Sequence, residues 1–481
     1  MLRSFLKDNV IYAIPAFISS GLALFLIPLY TRVLSPEDYG LLDLLIVLAS
    51  IVNLTIALEV SQGVARFYTA ESDLIKKDLY FSSALWFTII CYFIFSGMAL
   101  CFSGRLSELI FRKSGLNYIF ELGVVYIFIN GIFLLLQSQF RWQLRSINYA
   151  VVSLFSVLST SSISIWLVYY WDWGLAGLLI GMISGALIAG VLAIWWLRQS
   201  IKFKINTEQL REMLIFSAPL VFSGVAVWVS LYVDRMMISY YLTVEEVGLY
   251  GIGYRLASVA ALIMVGFKSA LTPLIYANYH KPSTPSDLEK IFRFFLYFSL
   301  LLFLFISLFS LEILQAFTTP PFYSASVVVV YLVPAILLQS MYIFSPGISI
   351  EKKTKFIIWI NFTGCVLNII FNYLLIPIYG ISGAAVATMI GYGVVFALYT
   401  IIGNKFYPIP HRWPQIYAAV GFAASISIAL PYLTSHDKFD WFFKILSILC
   451  FAVFASAVGL IKKEEFLSLW FLMKKKFIKW V

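Results

Sequence analysis

Apolar runs of about 20 residues recur along the whole chain, separated by short polar islands. A run of roughly 18 or more apolar residues is long enough to cross a bilayer as a helix. Hydrocarbon cannot satisfy exposed backbone groups, so such runs must be helical or form a closed barrel. The strand-like alternation of a barrel is absent. The pattern predicts about fourteen spans, near 9–33, 40–65, 80–101, 117–139, 149–170, 174–197, 214–233, 247–277, 292–313, 325–349, 356–378, 380–402, 415–433 and 441–461. The expected class is an all-α integral membrane protein.

Composition agrees. Of 481 residues, 61% are hydrophobic and only 12% charged, against roughly 25% charged in soluble domains. Cys91, Cys101, Cys365 and Cys450 have neither metal nor CxxC spacing and read as core filler. His280, His411 and His436 lie in expected loops and suggest no metal site. The start, MLRSFLKDN, precedes an apolar run too long for a signal peptide and reads as part of a retained first helix.

Charge placement predicts orientation. With the N-terminus in the cytoplasm, that side collects Arg3, Lys7, Arg66, Lys76, Lys77, Arg141 and Arg145, the 198–211 segment, Lys281, Lys290, Arg293, Lys352, Lys353, Lys355, Lys405 and Arg412, and the basic tail from Lys462 to Lys479. The outer side keeps Arg32, Arg105, Arg112, Lys113, Arg235, Lys438 and Lys444. A bias better than roughly three to one places both termini in the cytoplasm. The net charge of +10 is mostly this topology signal. No soluble basic patch exists to bind nucleic acid.

Two polar islands echo each other. LSPEDYGLL (34–42) and LTVEEVGLY (242–250) match at an offset of 208 residues. WGLAGLLIGMISG (173–185) and YGISGAAVATMIG (379–391) match at nearly the same offset. The first pair has the residues of helix starts, with Ser35 and Thr243 as caps and Asp38 and Glu246 three positions on. In the second pair, small residues every fourth position suit close helix packing. Both pairs argue for two parallel six-helix halves, 1–200 and 207–405, followed by two extra helices over 413–462 and a basic tail over 463–481.

Polar residues inside the spans carry the candidate chemistry. An embedded charge is costly and normally faces a cavity or a partner. On a continuous second span, Thr55, Glu59, Gln62 and Arg66 would form one stripe. Glu59 is then either an ion-coupling carboxylate or part of a structural cluster, and Arg66 either an anion contact or a snorkelling cation. Asn130, Gln137 and Arg141 share a stripe on the fourth span, as do Asn361, Asn368 and Asn372 on the eleventh. These stripes either line a cavity or bond neighbouring helices. Arg255 and Lys268 on the eighth span are about 220° apart on a straight helix. Either the cavity is wide, or the helix bends near Gly266, or one of the two faces elsewhere. Lys268 is the deeper cation, at a depth that would allow pairing with Glu59.

No GxxxxGK[ST] loop is present, so no ATP-driven pump is encoded in this sequence, and HExxH and GxSxG are absent. IPLYTRVLSPEDYGLLDLL (27–45), EVSQGVARFY (59–68) and NYLLIPIYGISGAAVATMIGY (372–392) resemble stretches of the polysaccharide transport family. These are Wzx-type flippases of the MATE-like MOP exporter superfamily. The resemblance implies movement of undecaprenyl-pyrophosphate-linked oligosaccharide repeat units across a bacterial cytoplasmic (inner) membrane by alternating access. It implies surface polysaccharide biosynthesis, no enzymatic activity and no cofactor, with H+ or Na+ coupling and association with glycan polymerase machinery. Arg66, Arg141, Arg255 and Lys268 are then candidates for pyrophosphate or acidic-sugar contact, with Gln62, Asn130 and Gln137 as further cavity residues. The alternatives are a MATE-type antiporter of cationic small molecules, a peptidoglycan-precursor flippase, and a membrane glycan polymerase or ligase. The last would need a large catalytic outer loop, which the sequence lacks.

Overall fold

In a computed structural model, described for residues 25–434 and 440–461 together with 15, 18, 19, 21 and 22, the chain is helical almost throughout. The basic N-terminus, part of the first expected span, His436, Lys438 and the tail from Lys462 lie outside the described residues. Among the described residues, 11 helices are long and apolar enough to cross a membrane. One of them, Lys355–Phe406, has 52 residues and is interrupted at Gly380, whose φ is 58°. It supplies two crossings, as the expected spans 356–378 and 380–402 require.

The helices start where their sequences say. Helix α1 (Pro36–Thr55) opens on a full capping box. The Ser35 amide donates to Asp38 Oδ2 at 2.9 Å and the Asp38 amide donates back to Ser35 Oγ at 3.2 Å. Pro36 occupies the first turn, where its missing N–H is harmless. At the second island the Glu246 amide donates to Thr243 Oγ1 at 3.2 Å.

Two expected spans are broken. The 40–65 span ends as α1 at Thr55 and resumes as α2 (Val60–Ala70). Between them Leu58 and Glu59 adopt left-handed conformations, φ 49° and 52°. Neither is glycine, so the strain costs about 1–3 kcal/mol per residue and persists only where the surroundings impose it. The single stripe from Thr55 to Arg66 therefore does not exist. The Thr55 hydroxyl turns back to the Ile51 carbonyl at 2.7 Å. The 247–277 span is likewise two helices, Val244–Ser258 and Ala261–Asn278, so the break falls at 259–260 rather than at Gly266.

The chain divides into two compact units. The first holds residues 1–251 with 317–322. Its further helices are α3 (Leu74–Cys101), α4 (Ser103–Phe111), α5 (Asn117–Trp142), α6 (Ser146–Tyr170), α7 (Gly174–Leu197) and α8 (Thr207–Tyr241). Val64, Phe81, Ile127, Phe140, Ala189 and Met213 form its fully buried centre. A Cβ on Gly181 or Gly185 would collide with Ser164 or Thr160 of α6, so this glycine stripe is a packing device. Arg235, counted above as an outer charge, is 6% exposed and packs with Asp234 at 3.1 Å and Asp43 at 3.9 Å. The Tyr250 hydroxyl donates to Asp234 Oδ2 at 2.6 Å.

The second unit holds residues 252–316 and 323–481. Glycine plays the same part there: a Cβ on Gly383 would strike the Leu375 carbonyl across the Gly380 bend. Asn372 donates to Asn368 Oδ1 at 3.1 Å and Asn368 to Thr388 Oγ1 at 3.4 Å, so these asparagines bond within and between the two arms. Arg293 is 1% exposed, holds Glu289 at 2.6 Å and donates to the Leu460 carbonyl at 2.8 Å. Lys444, also counted as an outer charge, is buried against Glu312 and Asp440.

Candidate substrate cavity

The first unit carries an open cavity of about 640 Å³ beside the α1–α2 break. Five helices build its wall. Helix α1 contributes Ser50 and Asn53, the break Glu59, α2 Ser61 and Gln62, α3 Thr88 and Tyr92, α5 Ser138, and α8 Ser223, Trp228 and Tyr232. The break has a clear geometric effect. It ends α1 early and starts α2 on Glu59, which places the carboxylate and the Gln62 amide on the cavity wall within hydrogen-bonding reach of each other. Irregular backbone at membrane depth is tolerated where it lines such a cavity.

Several lining groups are fixed before any ligand arrives. Trp228 Nε1 donates to Ser50 Oγ at 2.7 Å, and Ser50 donates to the Val47 carbonyl at 2.7 Å. The indole therefore has one orientation. The Tyr92 hydroxyl donates to Asn53 Oδ1 at 2.5 Å, which leaves the Asn53 amide nitrogen as the donating end. Thr88 is 3% exposed and its hydroxyl has no hydrogen-bond partner. Among the described lining residues Glu59 is the one carboxylate, and none is Lys or Arg.

The residues singled out from sequence separate into groups. Glu59 and Gln62 line the cavity. Arg141 stands at its edge, donating to the lining Ser138 at 2.9 Å and lying over the Tyr149 ring at 5.5 Å. Arg66 is exposed and covers the Phe216 ring at 4.7 Å. Gln137 donates to Ser153 of α6 at 2.7 Å, the helix-bonding alternative. Asn130 is half-buried beside the lining Gly131 but is not itself on the wall. In the second unit Arg255 is half-buried in the last turn of its helix, and Lys268 is exposed with its ammonium 5.0 Å from the Tyr342 ring.

Sequence reasoning missed Asn53, Thr88, Tyr92, Trp228 and Tyr232. Asn53 lies six residues before Glu59, off the stripe of a continuous helix, and only the break brings both to one wall. Thr88 and Tyr92 are one turn apart on α3, a weak signal within a span rich in hydroxyls and aromatics.

Outside the spans, Glu71 and His411 are among the groups whose pKa is displaced. Backbone N–H groups of Asp73 and Ser72 bind the Glu71 carboxylate and hold it below the usual carboxylate range. Burial against Phe292 and Trp413 pushes His411 down to about 4.

Known proteins agree with this architecture. A family profile described as polysaccharide biosynthesis protein matches residues 29–279, more than half of the chain, and a MatE profile matches residues 219–374. The chain is 24% identical over 252 residues to the probable low-salt glycan biosynthesis flippase Agl15 of Haloferax volcanii, covering 50% of this chain and 51% of that protein. It is 24% identical over 429 residues to an uncharacterized membrane protein of Methanocaldococcus jannaschii, covering 81% of this chain and 82% of that one. The solved structure of lipid II flippase MurJ in an inward closed conformation superposes with a TM-score of 0.74 at 18% identity, covering 93% of this chain and 98% of that one. An inward-facing MATE family multidrug transporter of the MOP superfamily gives 0.63 at 15% identity, covering 83% and 97%. The fold is thus that of MOP-superfamily transporters, and the chain belongs to the polysaccharide biosynthesis protein family.

Proposed function

We propose that the protein translocates undecaprenyl-pyrophosphate-linked oligosaccharide repeat units across a bacterial cytoplasmic membrane, for surface polysaccharide biosynthesis. The observation that carries this reading is the strained break at Leu58–Glu59, beside a cavity that bears polar and aromatic side chains at membrane depth in a member of a polysaccharide biosynthesis family. The oriented Trp228 offers a face for a sugar ring. Asn53, Thr88 and Gln62 offer hydrogen bonds that hydroxyl-rich ligands can replace. Arg141 and Arg66 supply cations for the pyrophosphate, since both Arg and Lys bind phosphate well. Glu59 is the carboxylate for H+ or Na+ coupling. The 208-residue echo supports two six-helix halves, 1–200 and 207–405, that alternate access. The bias of basic residues supports cytoplasmic termini. Association with glycan polymerase machinery follows from the same role.

One observation favours a second reading. The cavity wall carries a carboxylate and no cation among its described residues, as expected of an antiporter for cationic small molecules. Gene deletion separates the two. Loss of surface glycan with undecaprenyl-linked repeat units trapped on the cytoplasmic face supports the translocase. Intact glycan with raised sensitivity to cationic drugs supports the antiporter. Trapped lipid II would instead indicate the peptidoglycan precursor.

A further inference from the structure

A second cavity in the same unit, about 480 Å³, lies between α1, α4 and α8 and shares only Trp228 with the first. Its walls are apolar: Leu44, Val47 and Ile51 of α1, Leu109 of α4, and Met236 and Met237 of α8 are among them. At one end stands Arg112, the left-handed C-cap of α4, with its guanidinium 4.7 Å from the Tyr240 ring. At the other end is Trp228, which lines this crevice and the polar cavity alike. From Trp228 to Tyr240 is twelve residues of helix, roughly 18 Å at 1.5 Å per residue. That is more than half of a hydrocarbon core roughly 30 Å thick. Ser239 also lines the crevice, 6% exposed, and its hydroxyl has no hydrogen-bond partner.

A cation at the membrane surface, an apolar channel running to mid-bilayer, and an unused hydroxyl near the cation match one ligand shape: a long isoprenoid chain with a phosphate head. We propose that this crevice binds the polyprenyl chain of a phosphate- or pyrophosphate-headed lipid in the leaflet opposite the basic loops, with Arg112 holding the phosphate. It rests on the translocase reading and extends it to the lipid half of the substrate. The glycan-facing cavity and the lipid crevice then lie on two sides of one indole, so Trp228 separates sugar from chain. Arg112 meets the head after the glycan has crossed. The flexible thioethers of Met236 and Met237 suit a chain with no fixed shape.

The test is photolabelling of the full-length protein in phosphatidylcholine nanodiscs with a diazirine-bearing polyprenyl monophosphate, read by peptide mapping. Label is expected on the peptides spanning 103–113 and 228–240. Met237→Trp, which fills the crevice, should lower it about fivefold or more. Arg112→Gln, an exposed substitution that leaves the core intact, should lower it about threefold. Ile94→Trp, on a lipid-exposed position of α3, should change nothing. Polyprenyl pyrophosphate should compete, and inorganic pyrophosphate should not. Label spread evenly over lipid-facing helices, label unchanged in both crevice variants, or equal competition by phosphatidylglycerol would each overturn the proposal, the last by reducing the crevice to a seat for bulk lipid. The translocase reading fails separately, by the absence of trapped repeat units in the deletion strain.

Discussion

Gly40 and Gly248, 208 residues apart, face each other's helices reciprocally. A Cβ on Gly40 would collide with the carbonyl of Val244, and a Cβ on Gly248 would collide with the carbonyl of Pro36. Pro36 and Val244 are themselves 208 residues apart, so each copy of the echoed segment supplies the carbonyl that the other's glycine accommodates. This is the pattern of a two-fold contact, in which one patch meets its own copy. The glycines of LSPEDYGLL and LTVEEVGLY match because both copies serve the same crossing.

Both glycines should therefore be intolerant of side chains. Forcing atoms into a packed contact costs about 1–3 kcal/mol, and a backbone carbonyl yields less readily than a flexible side chain. Gly40→Val and Gly248→Val are each expected to lower the thermal midpoint in detergent by several degrees or to abolish folded yield. Gly421→Ala, where no atom lies within 4 Å, should leave both unchanged. A Gly40→Val protein as stable as the Gly421→Ala control would contradict the crossing.

Glu59 should matter for transport more than for folding. Glu59→Gln keeps the side-chain shape on the cavity wall and removes the charge. We expect export of repeat units to fall about tenfold or more at an unchanged thermal midpoint, because an embedded carboxylate with a polar cavity is a functional group by default. Arg66→Glu and Lys268→Glu should impair export more than Arg198→Glu at the end of α7. Equal, negligible effects at all of these positions would remove the assignment.

The Glu289–Arg293 pair should be costly to break from one side. Arg293 is 1% exposed and bonds both Glu289 and the Leu460 carbonyl. Removing one partner of a buried pair costs about 3–5 kcal/mol, since the other charge stays buried. The exposed pair Asp287–Lys290, 3.7 Å apart, should be worth about 0–1 kcal/mol. Glu289→Ala is expected to reduce the thermal midpoint far more than Asp287→Ala, in a side-by-side melt.

His411 gives the protein an acid-side sensitivity. Its native pKa is shifted down to about 4 by burial, below its ordinary 6.5. Between those values the unfolded chain binds the proton more readily than the native one, so stability rises with pH. The contribution is complete above pH 6.5 and is lost progressively as the pH falls toward 4. His411→Phe keeps a ring against Phe292 and Trp413 and should flatten the difference in thermal midpoint between pH 7 and pH 5. An identical pH dependence in the variant would exclude His411 as its source.

Much of this protein is set by local sequence. Apolar run length determines a helical membrane protein, because hydrocarbon leaves backbone groups no other partner. Ser35, Asp38 and Pro36 determine where α1 begins, because capping is a contact among neighbours in the chain. The glycine stripe at 177, 181 and 185 announces close packing, because only small side chains let helices approach. Even the two-fold crossing at Gly40 and Gly248 is foreshadowed by the 208-residue echo. The site was less legible. Helical periodicity presumes an unbroken helix, and Leu58 and Glu59 adopt left-handed conformations that neither residue type announces. Once the helix breaks, the stripe from Thr55 to Arg66 dissolves, and Asn53 joins Glu59 on one wall instead. Trp228, Thr88 and Tyr92 come from other helices and meet that wall only through packing. Sequence settled which segments are helices and how they start; tertiary structure decided which polar groups share a cavity, because that depends on the rotation of each helix about its axis and on a backbone strain that only surrounding contacts can sustain.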